Sequence, residues 1–259
     1  MKFGDFSELA GAYSESRPKY SPRILQTLIE ISRLNSDSIA IDLGAGTGIW
    51  TRMLREKFEG KLIGVEPNIE MFQMGMKDSS DFEIDWINST AEEFEYTPNI
   101  VDLITMASSF HWTDYEKTIS KFKELLKPGG YFCALWNTRA YELHPKLQLI
   151  EDHLKGKLTA PRISSGRSNF TETLLGKLSE SFGMENCFYQ ESFHQEEMTL
   201  ERYIRIWQSV NDVQVQLGKD EFRKFIEFIE KTFTGESVFY ATYQTRAWVA
   251  QKPLIHHDW

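Results

Sequence analysis

Asp42 sits at the end of an apolar run over residues 39–43, and Gly44, Gly46 and Gly48 follow it at alternate positions. A second apolar run, 62–65, ends in Glu66. A turn without side chains lets a ligand approach the backbone, and a helix N-terminus beside it offers N–H groups. An acid at the end of the next strand accepts two ribose hydroxyls. The pattern predicts a nucleoside cofactor, and its spacing narrows which one. A dinucleotide fingerprint, G-x-G-x-x-G from Gly44, would need glycine at position 49, which is Ile49. Gly48 is followed by Ile49-Trp50-Thr51, not by the Lys-Ser or Lys-Thr of a phosphate-cradling loop. A carboxylate at the turn instead suits a cofactor with a cationic end, an ammonium or a sulfonium.

Asp42-Leu43-Gly44-Ala45-Gly46-Thr47-Gly48 resembles the first motif of the class I S-adenosylmethionine-dependent methyltransferases. Glu66 is similar to their ribose-binding acid, and Ser89-Thr90-Ala91-Glu92-Glu93-Phe94 to the segment that meets the adenine edge. Val101-Asp102-Leu103-Ile104 resembles the start of their fourth strand, and Lys127-Pro128-Gly129-Gly130 the turn before the fifth. Phe110-His111-Trp112 with Asp114, and Tyr13 with Arg17-Pro18-Lys19-Tyr20, resemble the branch that includes trans-aconitate methyltransferase-like proteins. The matches span residues 13 to 137, with a weaker echo at 246–250. Thr90 departs from the pattern, since many relatives have Asp there. The resemblance implies S-adenosyl-L-methionine as cofactor and a methyl group passed to a small-molecule acceptor. It implies a cofactor site of Tyr13, Arg17, Asp42, Gly44, Ala45, Gly46, Glu66, Pro67, Met71, Thr90, Ala91, Glu92 and Ala107. Tyr13 and Arg17 would hold the cofactor carboxylate, Asp42 would act near its ammonium, and Met71 or Ile69 would cover the adenine.

Methyl transfer from a sulfonium is an in-line displacement, so alignment and exclusion of water come first, and a base is needed only when the nucleophile must lose a proton. His111 is the general-base candidate, because imidazole titrates near neutrality, and Trp112 would form an apolar wall. Glu142, His144 and His153 are weaker candidates. Residues 138–168 hold six Lys or Arg against three acids, a local +3 in a chain of −9. Arg139, Arg162 and Arg167, with the small donors of Ser164-Ser165-Gly166, suit a carboxylate or phosphate. These observations predict an anionic acceptor methylated on oxygen.

The elements that must position these residues alternate. Ser21-Pro22 opens a helix with a capping hydroxyl and proline at its first position. Strands are expected at 39–43, 62–65, 82–87, 101–106 and 131–136, with helices between them reaching Gly60, covering 69–76, and following Asp114. Such alternation forces parallel pairing through right-handed crossovers, with ligands at the carboxyl ends of the strands where strand order reverses. After Trp136 the stretch 138–168 reads as polar and irregular. A helix is expected over 171–182, a strand over 187–193, two helices within 199–233, and a last strand over 247–250 that the resemblance makes antiparallel. The expected fold is α/β: a Rossmann-like, doubly wound, seven-stranded, mostly parallel sheet with a largely helical lid. It forms a single domain over 1–259, with 138–170 and 197–240 as candidate lid insertions.

Composition excludes several classes. Hydrophobic residues make up 41% of the 259, enough for a core. The net charge of −9 argues against a sequence-independent nucleic-acid binder. No run approaches the roughly 20 apolar residues of a membrane span, and Asp5 and Glu8 with no apolar stretch argue against a secretory signal. A cytoplasmic protein is expected. Cys133 and Cys187 lack metal or redox spacing and read as small buried hydrophobes, so no metal is expected. A nicotinamide-dependent oxidoreductase is the second reading, disfavoured by Ile49; a non-catalytic nucleoside-binding module is the third. Ser108-Ser109-Phe110-His111 stands where an amino-group methyltransferase has an Asn/Asp-Pro-Pro motif, which disfavours adenine methylation.

Overall fold

The computed structural model describes residues 16–160 and 168–254. Seven strands form one sheet: β1 (Ile39–Leu43), β2 (Lys61–Val65), β3 (Asp85–Ile87), β4 (Val101–Ala107), β5 (Leu126–Arg139), β6 (Cys187–Thr199) and β7 (Val238–Gln251), in spatial order β3-β2-β1-β4-β5-β7-β6. The first five pair in parallel, and β7 runs antiparallel between β5 and β6. Eight α-helices occur among the described residues: α1 (Pro22–Ser32), α2 (Ile49–Arg55), α3 (Ile69–Asp78), α4 (Tyr115–Leu125), α5 (Pro145–Lys155), α6 (Asn169–Phe182), α7 (Leu200–Gln208) and α8 (Asn211–Thr232). The fold is the expected mostly parallel, doubly wound sheet.

Strand alternation assigns its two faces. Ala40, Leu62, Leu103, Cys133 and Leu135 pack with α1 and α2 through Leu25, Leu28, Trp50 and Leu54. Their neighbours Ile41, Ile63, Ile104, Phe132 and Ala134 pack with α4 and α6 through Phe122, Leu125, Leu174 and Leu178. The period of two puts adjacent residues on opposite faces, and helices cover both. Helix starts follow local chemistry: Ser21 Oγ accepts from Arg23 N, Asn68 Oδ1 from Met71 N, and Asp114 Oδ1 from Lys117 N.

A third core lies beyond the sheet proper. Leu147, Ile150 and Leu154 of α5, Ile206 and Trp207 of α7 and Phe225 and Ile229 of α8 pack on Met198, Phe239, Ala241 and Tyr243. These last four come from the far half of the antiparallel β6–β7 pair. That half explains why both strands outrun the expected 187–193 and 247–250. Its inward positions are buried by α5, α7 and α8 rather than by the sheet's own layers. The stretch expected to be irregular contains α5, whose buried residues fall at helical spacing behind Pro145. Other bounds also differ: β5 runs from Leu126 to Arg139, α2 stops at Arg55, α3 reaches Asp78 and β3 keeps only three residues.

Candidate functional site

Strand order reverses between β1 and β4, and the carboxyl ends of both strands open on a cavity of about 360 Å³. The glycine turn forms its floor. Gly44 has φ +67°, and a Cβ there would meet Ser109 Cβ at 2.5 Å. Ser109 Oγ in turn donates to Leu43 O at 2.9 Å, so the end of β4 clamps the turn. Gly46, at φ +59°, has nothing within 4 Å of a built Cβ, and a side chain there would project into the cavity that Gly46 lines.

Glu66 is 7% exposed and lines the same cavity. Its Oε2 accepts from Gly46 N at 2.8 Å and its Oε1 from Asn68 N at 2.9 Å. Each carboxylate oxygen keeps a second lone pair for a hydroxyl. Burial raises its pKa, while the two backbone N–H bonds oppose the rise. Asn88 donates to Glu66 O and Pro67 O at 2.7 and 3.1 Å and fixes the chain behind the acid.

Asp42 lies beneath the turn, fully buried and absent from the cavity wall. Thr51 Oγ1 donates to its Oδ2 at 2.6 Å, and Thr105 Oγ1, on the paired residue of β4, donates to Oδ1 at 3.0 Å. Burial pushes its pKa up to about 7 against the pull of these hydroxyls. Any action of Asp42 on a cofactor ammonium therefore passes through the field or an intervening group, not through contact.

The sequence-derived cofactor residues Arg17, Gly44, Ala45, Gly46, Glu66, Pro67, Met71, Thr90, Ala91, Glu92 and Ala107 come together on the cavity wall, as does Trp112, which is 45% exposed. Ile69, the alternative to Met71, is exposed and off the wall. Tyr13, Arg162 and Arg167 lie outside the described residues. Arg17 carries a further commitment: its Nε donates to Ser209 Oγ at 3.0 Å and its Nη2 to Ser209 O at 3.1 Å. Glu92 Oε1 accepts from Asp114 N at 2.9 Å. Tyr20, Ser108 and Asn137 also line the cavity and were not among the expected site residues. Tyr20 Oη and Ser108 Oγ are 3.0 Å apart, and Ser108 adopts φ +59°, a strained conformation for serine at the end of a strand.

Two sequence expectations meet a different environment. His111 lies behind the cavity wall, and its Nδ1 accepts from Trp136 Nε1 at 3.4 Å. That bond assigns the ring proton to Nε2, which is buried without a hydrogen-bond partner. Burial lowers the ring's pKa to about 4, although Asp212 acts to raise it. The ring's lone pair faces Trp136 Nε1 and its basicity is depressed by burial, an environment different from the one expected of a base. Arg139 is off the cavity wall as well, with its guanidinium 4.0 Å from the Trp207 ring centroid inside the lid. His144 packs between Phe233 and Phe239, and His153 stacks on Phe228 at 3.9 Å, so both pack against the third core. Among the described residues no group of His, Cys, Asp or Glu could hold a metal, and no helix is long and apolar enough to cross a membrane.

Residues 40–130 match the methyltransferase domain family. An uncharacterized methyltransferase of Mycobacterium bovis is 31% identical over 163 residues, 60% of this chain and 64% of that protein. The chain thus spans less than two thirds of that relative. The malonyl-acyl-carrier-protein O-methyltransferase of Calditerrivibrio nitroreducens is 23% identical across 96% of this chain and 95% of its own. Among solved structures, a protein of Anaeromyxobacter dehalogenans described as a candidate type II methyltransferase superposes with a TM-score of 0.68 at 18% identity, covering 92% of this chain and 99% of that one. Phosphoethanolamine N-methyltransferase 2 of Haemonchus contortus, solved with S-adenosyl-L-methionine, gives 0.54 at 16% identity over 95% of this chain and 57% of that one. The open glycine turn and the buried, backbone-braced acid fit such a cofactor. Both the domain match over residues 40–130 and the fold liken this chain to the S-adenosylmethionine-dependent methyltransferases.

Proposed function

We propose that the protein transfers a methyl group to a small-molecule acceptor, on an oxygen of an anionic carboxylate or phosphate metabolite. When bound, S-adenosylmethionine supplies a methyl group made electrophilic by its sulfonium. The observation that carries the reading is Glu66, a buried acid braced by two backbone N–H groups and opening on the cavity beside the Gly44–Gly46 turn. Glu66 orients the ribose, the glycine turn admits the methionine part, and Met71 and Ala91 offer apolar surface to the base. Trp112 and the segment 17–20 restrict water at the far side, which strengthens alignment.

The anionic acceptor is supported by the local +3 charge of residues 138–168. The O-methyltransferase among the relatives is in keeping with oxygen as the receiving atom. Phe110-His111-Trp112 and Arg17–Tyr20 support the trans-aconitate methyltransferase-like branch. A nicotinamide reductase would need glycine where Ile49 stands.

Calorimetry with S-adenosylmethionine, its demethylated product S-adenosylhomocysteine and NADPH tests the cofactor reading. The first two should bind and the third should not. Glu66→Gln should weaken the demethylated product by about tenfold to a hundredfold, since a charge-assisted pair of hydroxyl bonds is lost. Equal affinity in wild type and variant would remove Glu66 from the site. A screen of carboxylates and phosphates for cofactor turnover then tests the acceptor.

A further inference from the structure

The sheet face beneath the lid holds a line of buried polar side chains that the fold leaves incompletely bonded. Arg139 on β5 lies opposite Tyr243 on β7, and Tyr243 lies opposite His194 on β6. Paired residues share a face, so the three side chains form one row across three strands. Arg139 Nη1, the Tyr243 hydroxyl and His194 Nδ1 are each buried with no hydrogen-bond partner.

Their chemistry is specific. The Arg139 guanidinium rests on the rings of Trp207 and Tyr203, at 4.0 and 5.8 Å from their centroids, which holds the cation without meeting its hydrogen bonds. Among the described residues no carboxylate forms an ion pair with it, and Glu151 acts on it only through the field. The Tyr243 hydroxyl lies within reach of a side-chain hydrogen bond from the guanidinium, which lowers its pKa against the larger rise from burial, and it keeps its own proton to donate. His194 Nε2 bonds to Lys19 O at 2.8 Å, so its proton sits there and Nδ1 is an acceptor. The row offers two donors, one of them cationic, and one acceptor.

Its position ties it to the cavity. Asn137 lines the cavity and pairs with Thr245 one step down the same face. That pair lies two residue steps along the strand from the Arg139 row, a rise of about 7 Å. Buried, unmet polar groups are costly, and a ligand that completes them gains what the folded chain forgoes.

We propose that this row is the subsite for the non-reacting end of the acceptor. A carboxylate or phosphate group lies between Arg139 Nη1 and the Tyr243 hydroxyl, and a hydroxyl of the same ligand donates to His194 Nδ1. The assignment rests on the methyl-transfer reading and adds to it where the acceptor is held and by which atoms.

The test titrates malonate and, separately, inorganic phosphate into the full-length protein by calorimetry, with and without saturating S-adenosylhomocysteine. At least one anion should bind the wild type, and the stronger of the two identifies the anion class. Tyr243→Phe should weaken it about fivefold and Arg139→Gln more than tenfold, with S-adenosylhomocysteine affinity unchanged in both. Tyr243→Phe removes a single hydroxyl and keeps the test open should Arg139→Gln fold poorly. Equal anion affinity in wild type and Tyr243→Phe, or no binding to wild type at millimolar anion, overturns the subsite. Anion binding that responds to the variants in a protein blind to S-adenosylhomocysteine would instead fell the methyl-transfer reading and leave the subsite standing.

Discussion

Asp42 and Glu66 share one rim but differ in what surrounds their oxygens. Glu66 is braced by backbone N–H groups and opens on the cavity, whereas Asp42 is sealed under the turn by two threonine hydroxyls. The sealed acid has a consequence for pH. Its pKa, raised by burial from 3.8 to about 7, makes the folded chain bind this proton more tightly than the unfolded chain. Its contribution to stability is therefore full below about pH 4 and is lost as pH rises through about 7. Asp42→Asn keeps the shape and removes the titration. Thermal melts should show the wild type losing stability relative to the variant as pH rises from about 4 to about 7, with the variant at least as stable at the upper end. Parallel curves would mean that Asp42 stays ionised throughout.

At the scale of elements, the segment 16–21 forms a strap between the cavity and the lid. Arg202 of α7 donates to Ser16 O, Arg17 O and Glu197 O and pairs with Glu196 at 2.5 Å. Glu196 also accepts from Lys19 N, Asn137 Nδ2 donates to Lys19 O, and Arg17 reaches Ser209 just past α7. Helix α7, with β5 and β6, thus holds the strap whose Arg17, Pro18 and Tyr20 line the cavity. Arg202→Ala should speed amide exchange across 16–21 while leaving β1 and β4 unchanged. It should also weaken S-adenosylhomocysteine by roughly threefold to tenfold, about 1 kcal/mol. Unaltered exchange in the strap would show that other contacts hold it. The same linkage predicts that a ligand under the lid tightens the cofactor, since each orders the strap for the other.

Among the described residues the buried side chains form three cores, two on the faces of the sheet and one in the layer of α5, α7 and α8, the expected lid. The lid core joins α5, α7 and α8 to the far half of the β6–β7 pair, away from the parallel strands. Regions with their own packing open as units below the global unfolding free energy. Native-state hydrogen exchange should find α5, α7 and α8 opening together, ahead of β1, β2 and β4. Phe225→Ala, at a fully buried position of that core, should cost about 3–5 kcal/mol of lid stability and leave sheet exchange largely unchanged. One exchange free energy common to lid and sheet would make the molecule a single cooperative unit.

The parallel half of the fold and the rim that faces the cofactor were legible because their signals are local. An apolar run ending in an acid, glycines at alternate positions and capping residues before amphipathic helices each report on a few neighbouring residues. Strand ends bring Gly44, Glu66, Thr90 and Ala107 to one rim whatever the details of packing. The lid side depended on contacts between distant residues. Arg17 meets Ser209 across 192 positions, Trp136 takes the lone pair of His111, and Arg139 settles on Trp207. Composition showed basic residues in 138–168 but not which of them face a ligand, and the helical spacing of Leu147, Ile150 and Leu154 was masked by polar neighbours. The sequence by itself determined the turn, the acids and the alternation of elements, because backbone geometry acts over short range. Tertiary structure alone decided which charged side chains are exposed, sealed or left short of a hydrogen bond, because desolvation depends on everything packed around a group.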